Sequence, residues 1–178
     1  MRNIYFIVLF MLPLVSCSQT NTKETDTQKQ LVLSKPEDTF TTLQFEFEGK
    51  PCVAVINKQY KDYKNKFMFP LSLFLKVNTL EKDKNEHPTE HEYLAFHELQ
   101  TAIIRALSAE FTFCHVGATT MTGYRDIIFY INPKDQEKAV LVLNKFKADN
   151  KRFESYTFET DPEWEAVASF YEAVPANN

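Results

Sequence analysis

The run Gly117-Ala118-Thr119-Thr120-Met121-Thr122-Gly123-Tyr124-Arg125 gathers residue types suited to holding an anion. Its glycines let a ligand approach the backbone, its threonines offer hydroxyls, and Arg125 can clamp an anion through two parallel hydrogen bonds. The same two glycines are what a strand-to-strand turn requires. Arg125 can equally serve the fold by pairing with Glu98 or Asp161, because a buried guanidinium needs a partner. Convergence of Arg125, Thr120, Glu98 and Asp161 in one cleft would make a site; pairing alone would make a structural tie. Trp164 with Tyr171 offers an aromatic binding shelf, set against the plainer reading of a helix packed on its sheet.

Other chemistry is sparse. The four histidines, His87, His91, His97 and His115, do not fall into metal-ligand spacing. His91-Glu92 lacks the second histidine of the His-Glu-x-x-His pattern, and His97 lies well round the helix from His91. No metal and no cofactor is expected. Cys114 and His115 are neighbours on a strand, so their side chains point to opposite faces and do not form a nucleophile–base pair. Cys52 and Cys114 could bridge in an oxidising compartment, or each could pack as a small apolar side chain.

The third cysteine has a different meaning. Met1-Arg2-Asn3 precedes an uncharged apolar run, Ile4 to Val15, that ends Leu14-Val15-Ser16-Cys17. A cationic start and a short apolar run form an export signal, too short for a spanning helix of about 20 residues. The ending resembles the lipobox of bacterial lipoproteins, which implies cleavage before Cys17 and a lipid on its thiol. Residues 1–16 are therefore expected to be a signal peptide, 17–40 a polar flexible tether, and 41–174 a single domain on the cell envelope. The membrane, reached through that lipid, is the one partner the sequence points to.

Composition narrows the classes. The formal net charge of −4 becomes more negative when Arg2 leaves with the leader. An acidic chain without a basic run is not expected to bind nucleic acid. Sixteen Phe and eight Tyr suit a sheet-rich core, and three glycines in all make each one's place informative.

Elements must position these residues. Leu43, Phe45 and Phe47 alternate with polar residues, Gly49-Lys50 reverses the chain, and Val53 and Val55 continue a hairpin. Phe67, Phe69, Leu71, Leu73, Leu75 and Val77 alternate through a third strand. A helix capped near Thr89 runs to about Ala109 on a face of Ala95, Phe96, Leu99, Ala102, Ile103, Ala106 and Leu107. Phe111 and Phe113 begin a strand, 117–123 turns, and Arg125 to Ile131 returns. Pro133 opens a second helix, Phe153 to Thr160 forms a last strand, and Asp161-Pro162-Glu163-Trp164 reads as a helix start. The order predicts an α+β fold of ferredoxin-like split βαβ type, with an added N-terminal hairpin and C-terminal helix.

Gly117, Thr120, Gly123, Arg125, the aromatic Tyr130 and Asp161-Pro162-x-Trp164 together make the chain resemble domain-of-unknown-function family 695, over about residues 42 to 172. The resemblance implies no activity. Two functions stand open: a non-enzymatic binding or interaction domain, and an enzyme, such as a hydrolase, working around Arg125 and Thr120. Candidate ligand-binding residues are Thr120, Arg125, Glu98, Asp161 and Trp164. No nucleophile-and-base constellation is legible, which favours the binding domain.

Overall fold

Alternation of apolar and polar residues decides which side of the sheet each side chain takes, and the pairing register fixes it. In the computed structural model, which describes residues 37–84 and 86–174, six eight-residue strands form one antiparallel sheet. They are β1 (Phe40–Phe47), β2 (Lys50–Asn57), β3 (Leu71–Asn78), β4 (Phe113–Thr120), β5 (Tyr124–Ile131) and β6 (Phe153–Thr160), in the order β1-β2-β4-β5-β3-β6. Helix α1 (Glu90–Ser108) links β3 to β4, α2 (Gln136–Asp149) links β5 to β6, and α3 (Ala168–Ala173) closes the chain. The fold is α+β. Since β3 runs against β5, α1 and α2 run antiparallel to each other.

Leu71, Leu73, Leu75 and Val77 face the same side as Ile127, Phe129 and Ile131, and α1 and α2 cover that side. Phe96, Leu99, Ile103 and Leu107 of α1 and Ala139 and Leu143 of α2 complete this core. Each of the larger side chains among them contributes about 1.5–3 kcal/mol by leaving water. The opposite parity, Ile128 and Tyr130 of β5 with Ala54 and Ile56 of β2, is covered by Tyr60, Trp164, Val167 and Tyr171. The C-terminal segment is thus a third layer.

Several expectations need correction. The third strand starts at Leu71, not Phe67: residues Lys66–Met68 form a 3-10 turn, and Phe67 is 69% exposed. Val53 and Val55 do lie on β2, half-buried, while the alternate residues Cys52, Ala54 and Ile56 are buried. Gly117 belongs to β4 rather than to the turn. It follows the bulge between His115 and Gly117, at φ +151°, and a β-carbon there would run into the Val55 carbonyl of the neighbouring strand.

The C-terminal helix does not begin at Pro162. Trp164 takes a left-handed conformation (φ 62°), and a 3-10 turn, Glu165–Val167, leads into α3. Asp161 still caps, accepting from the amides of Glu165 at 2.8 Å and Ala166 at 3.0 Å. Ala168 points outward, unlike Trp164, Val167 and Tyr171. The expected signal peptide, Cys17 and the expected tether as far as residue 36 lie outside the described residues. Phe40 opens β1, and the Thr39 amide donates to Asn57 Oδ1 at 3.1 Å.

Candidate functional site

The reversal after β4 is closed by the Met121 amide donating to the Tyr124 carbonyl at 2.9 Å, with Gly123 at φ +86°. Arg125, the second residue of β5, then falls on the helix-covered side of the sheet, between Val77 of β3 and Thr120 of β4. Its guanidinium carbon lies 5.7 Å from the centre of the Tyr93 ring and 5.8 Å from that of Phe96, both on α1. Ring faces attract a desolvated cation.

Among the described residues no carboxylate pairs with it. Arg125 is only 6% exposed, forms no ion pair among the described residues, and its buried Nε has no hydrogen-bond acceptor. Burial lowers the pKa of the guanidinium, and Tyr93 offsets that only in part. Other buried oxygens also lack partners, among them Thr79 Oγ1, just past β3, and Gln100 Oε1 of α1. Thr120 is half-buried, its side chain on the same side of the sheet as Arg125, and Tyr93 is 49% exposed. The Arg125 cation is thus held against two rings, on the same side of the sheet as Thr120, with its buried Nε lacking an acceptor.

The expected pairing of Arg125 with Glu98 or Asp161 is therefore overturned. Glu98 is exposed and lines a cleft between α1 and α2. Asp161 lies at the other end of β5 and accepts from the Tyr130 hydroxyl at 2.6 Å. Tyr130 shares its face of the sheet with Ser72, opposite to Arg125's face. Trp164 belongs with Asp161: it stacks on Tyr130 at 4.0 Å and donates from Nε1 to the Phe69 carbonyl at 3.0 Å. Of the five candidates the structure joins Thr120 with Arg125, joins Asp161 with Trp164, and leaves Glu98 apart.

The histidines are dispersed. His91 pairs with Glu81 at 2.9 Å on the surface, His97 is exposed, and His115 packs between Phe40 and Phe129. Among the described residues no group of three His, Cys, Asp or Glu side chains is placed to hold a metal ion. Cys52 and Cys114 are both buried and unbridged.

A buried ion pair escaped the sequence reading. Glu92, wholly buried, accepts from Arg152 Nε and Nη2, each at 3.0 Å, and from the Leu80 amide at 3.0 Å and the Glu81 amide at 3.3 Å. Burial alone would raise its carboxyl; the Arg152 hydrogen bonds and the two amides outweigh that and hold it below its ordinary range. A signal existed: Thr89 and Glu92 have capping-box spacing, and Thr89 Oγ1 does accept the Glu92 amide at 3.3 Å.

No curated protein and no solved structure matches the chain. The model of the family of unknown function DUF695 matches it over residues 39–171, and the chain belongs to that family.

Proposed function

We propose that this chain is a bacterial envelope lipoprotein, anchored by lipid on Cys17, whose domain binds an anionic ligand at Arg125 and performs no catalysis. The observation that carries the ligand is the buried guanidinium of Arg125 with no acid beside it and a free Nε. An unpaired buried charge costs several kcal/mol in place of stabilising the fold, so a carboxylate or phosphate entering beside Tyr93 and Thr120 would relieve it. The anchor rests on the leader and its Leu14–Cys17 ending. The finer ferredoxin-like reading is supported by the order β4-β5-β3-β6 and by the two antiparallel helices on one side.

Inorganic phosphate and acetate, added to the mature lipoprotein during thermal melts, test the site. Binding to the folded state alone raises the midpoint, and about 100-fold excess over Kd adds about 2.7 kcal/mol. Arg125→Met should abolish that response. An equal response in wild type and variant overturns the reading. For the anchor, Cys17→Ala should leave the chain unlipidated by intact mass; a wild-type mature mass without acyl chains overturns it.

A further inference from the structure

Four side chains stand around Arg125 on the helix-covered side of the sheet, and they do not seal it equally. Val77 and Thr120 are its cross-strand neighbours, while Tyr93 and Phe96 of α1 lay their rings toward its guanidinium. Val77 and Phe96 are each 1% exposed and belong to the main core, where a shift would break close packing. Thr120 is half-buried, and Tyr93 is 49% exposed. Of the four, then, only the last two reach solvent, and of the two rings only Tyr93 can leave.

Tyr93 is anchored by its backbone and not by its side chain. Its amide donates to the Thr89 carbonyl at 2.9 Å, in the first turn of the 19-residue helix α1. Its hydroxyl makes no hydrogen bond among the described residues. A helical tyrosine has two open wells at χ1, so a half-exposed ring can change well while the helix stays still. What keeps the ring in place is its attraction to the cation. A contact of that kind, at ordinary strength, favours the covered state about fivefold.

The atom most in need of a partner is Nε, which is buried and has no acceptor. A carboxylate or phosphate grips a guanidinium side-on, through Nε and a neighbouring terminal nitrogen, and so must come in where a ring now lies.

We propose that Tyr93 gates the Arg125 site: its ring covers the guanidinium in the free protein and swings aside to admit the anion. The gate rests on the reading of Arg125 as an anion site. Ring and anion compete for one cation, so the apparent affinity is the intrinsic affinity scaled by the fraction of molecules with the ring away. Water reaches the Nε proton through the same opening. One number therefore sets both anion affinity and proton exchange at Nε.

The test uses the mature lipoprotein in detergent micelles, with arginine labelled by nitrogen-15. Arg105, Arg125 and Arg152 then supply the Nε–H signals, and the signal lost in Arg125→Met is that of Arg125. Inorganic phosphate and acetate, titrated separately, are the probes, and each should shift the Arg125 signal in wild type. Tyr93→Ala, at a half-exposed position, should tighten phosphate binding about fivefold and speed exchange of the Nε proton by about the same factor. Tyr93→Phe keeps the ring and should leave both unchanged. Weaker binding by Tyr93→Ala would make Tyr93 a contact of the ligand and overturn the gate. Unchanged affinity and exchange in a folded Tyr93→Ala chain, with phosphate still shifting the signal, would overturn the gate and leave the anion site standing. If neither anion shifts the signal in wild type or in Tyr93→Ala, the anion site itself fails, and the gate with it.

Discussion

Arg152 and Arg125 approach the first turns of α1 from opposite sides of β3, and their surroundings could hardly differ more. Arg152 meets Glu92 with two hydrogen bonds, and two backbone amides satisfy the remaining acceptor capacity of that carboxylate. Arg125 meets two aromatic rings and, among the described residues, no acid. A buried charge that serves the fold is paired, as Glu92 is; Arg125 is not, which is why we propose a ligand for it. The comparison predicts opposite outcomes for the same kind of substitution.

The largest expected effect is on the paired side. Arg152→Ala leaves the Glu92 carboxylate buried without its counter-charge, which costs about 3–5 kcal/mol. Urea unfolding would measure it, and a loss below about 1 kcal/mol would mean that the two amides suffice. Trp164→Phe should cost less, about 1–3 kcal/mol, because a ring still stacks on Tyr130 while the buried Phe69 carbonyl loses its donor. Unchanged stability would show that the hydrogen bond contributes nothing to the third layer.

Acid titration sharpens the contrast between satisfied and unsatisfied charges. Glu92 is held below its ordinary range, so its contribution is present above that range and is lost as pH falls through the lowered value. Asp126 behaves in the opposite sense: burial pushes its carboxyl up to about 6, against Lys76 and a hydrogen bond from Thr119. Its neutral form is the favoured one, so it withdraws stability as pH rises from about 4 to about 6. Asp126→Asn should therefore match wild type near pH 4 and exceed it increasingly up to pH 6–7. Parallel stability curves would show that Asp126 ionises as freely as it does in the unfolded chain.

Much of the fold was legible because alternation and periodicity report burial directly. The strand Phe153–Thr160 and the first helix with its Thr89 cap stand where the pattern puts them. Errors arose where a residue's conformation, not its polarity, decided the outcome. Pro162 suggested a helix start, but Trp164 turns left-handed so that its indole can lie flat on Tyr130, and the helix waits until Ala168. Gly117 looked like a turn residue, yet it is glycine because β2 passes too close for a β-carbon. The site was legible by type and not by pairing: Arg125 and Thr120 share a side of the sheet because turn length fixes their register. Glu98 and Asp161 were plausible by charge alone, and only the register shows that Asp161 belongs to the opposite face.

The smallest expected effect on stability is the most informative. Arg125→Met keeps the length and apolar stem of the side chain, preserves contact with Tyr93 and Phe96, and removes a desolvated charge that no carboxylate compensates. Replacing a buried ion by a well-packed apolar group is often neutral or stabilising, so the shift should stay within about 1 kcal/mol or favour the variant. Arg125→Lys should do worse, because an ammonium is more strongly hydrated and cannot spread its charge across two rings. Melting of the three chains without added anion gives the order Met at or above Arg, and both above Lys. If Arg125→Met instead fell by 3 kcal/mol or more, in the range expected for breaking a buried pair, Arg125 would be a structural arginine like Arg152, and the distinction between the two would collapse.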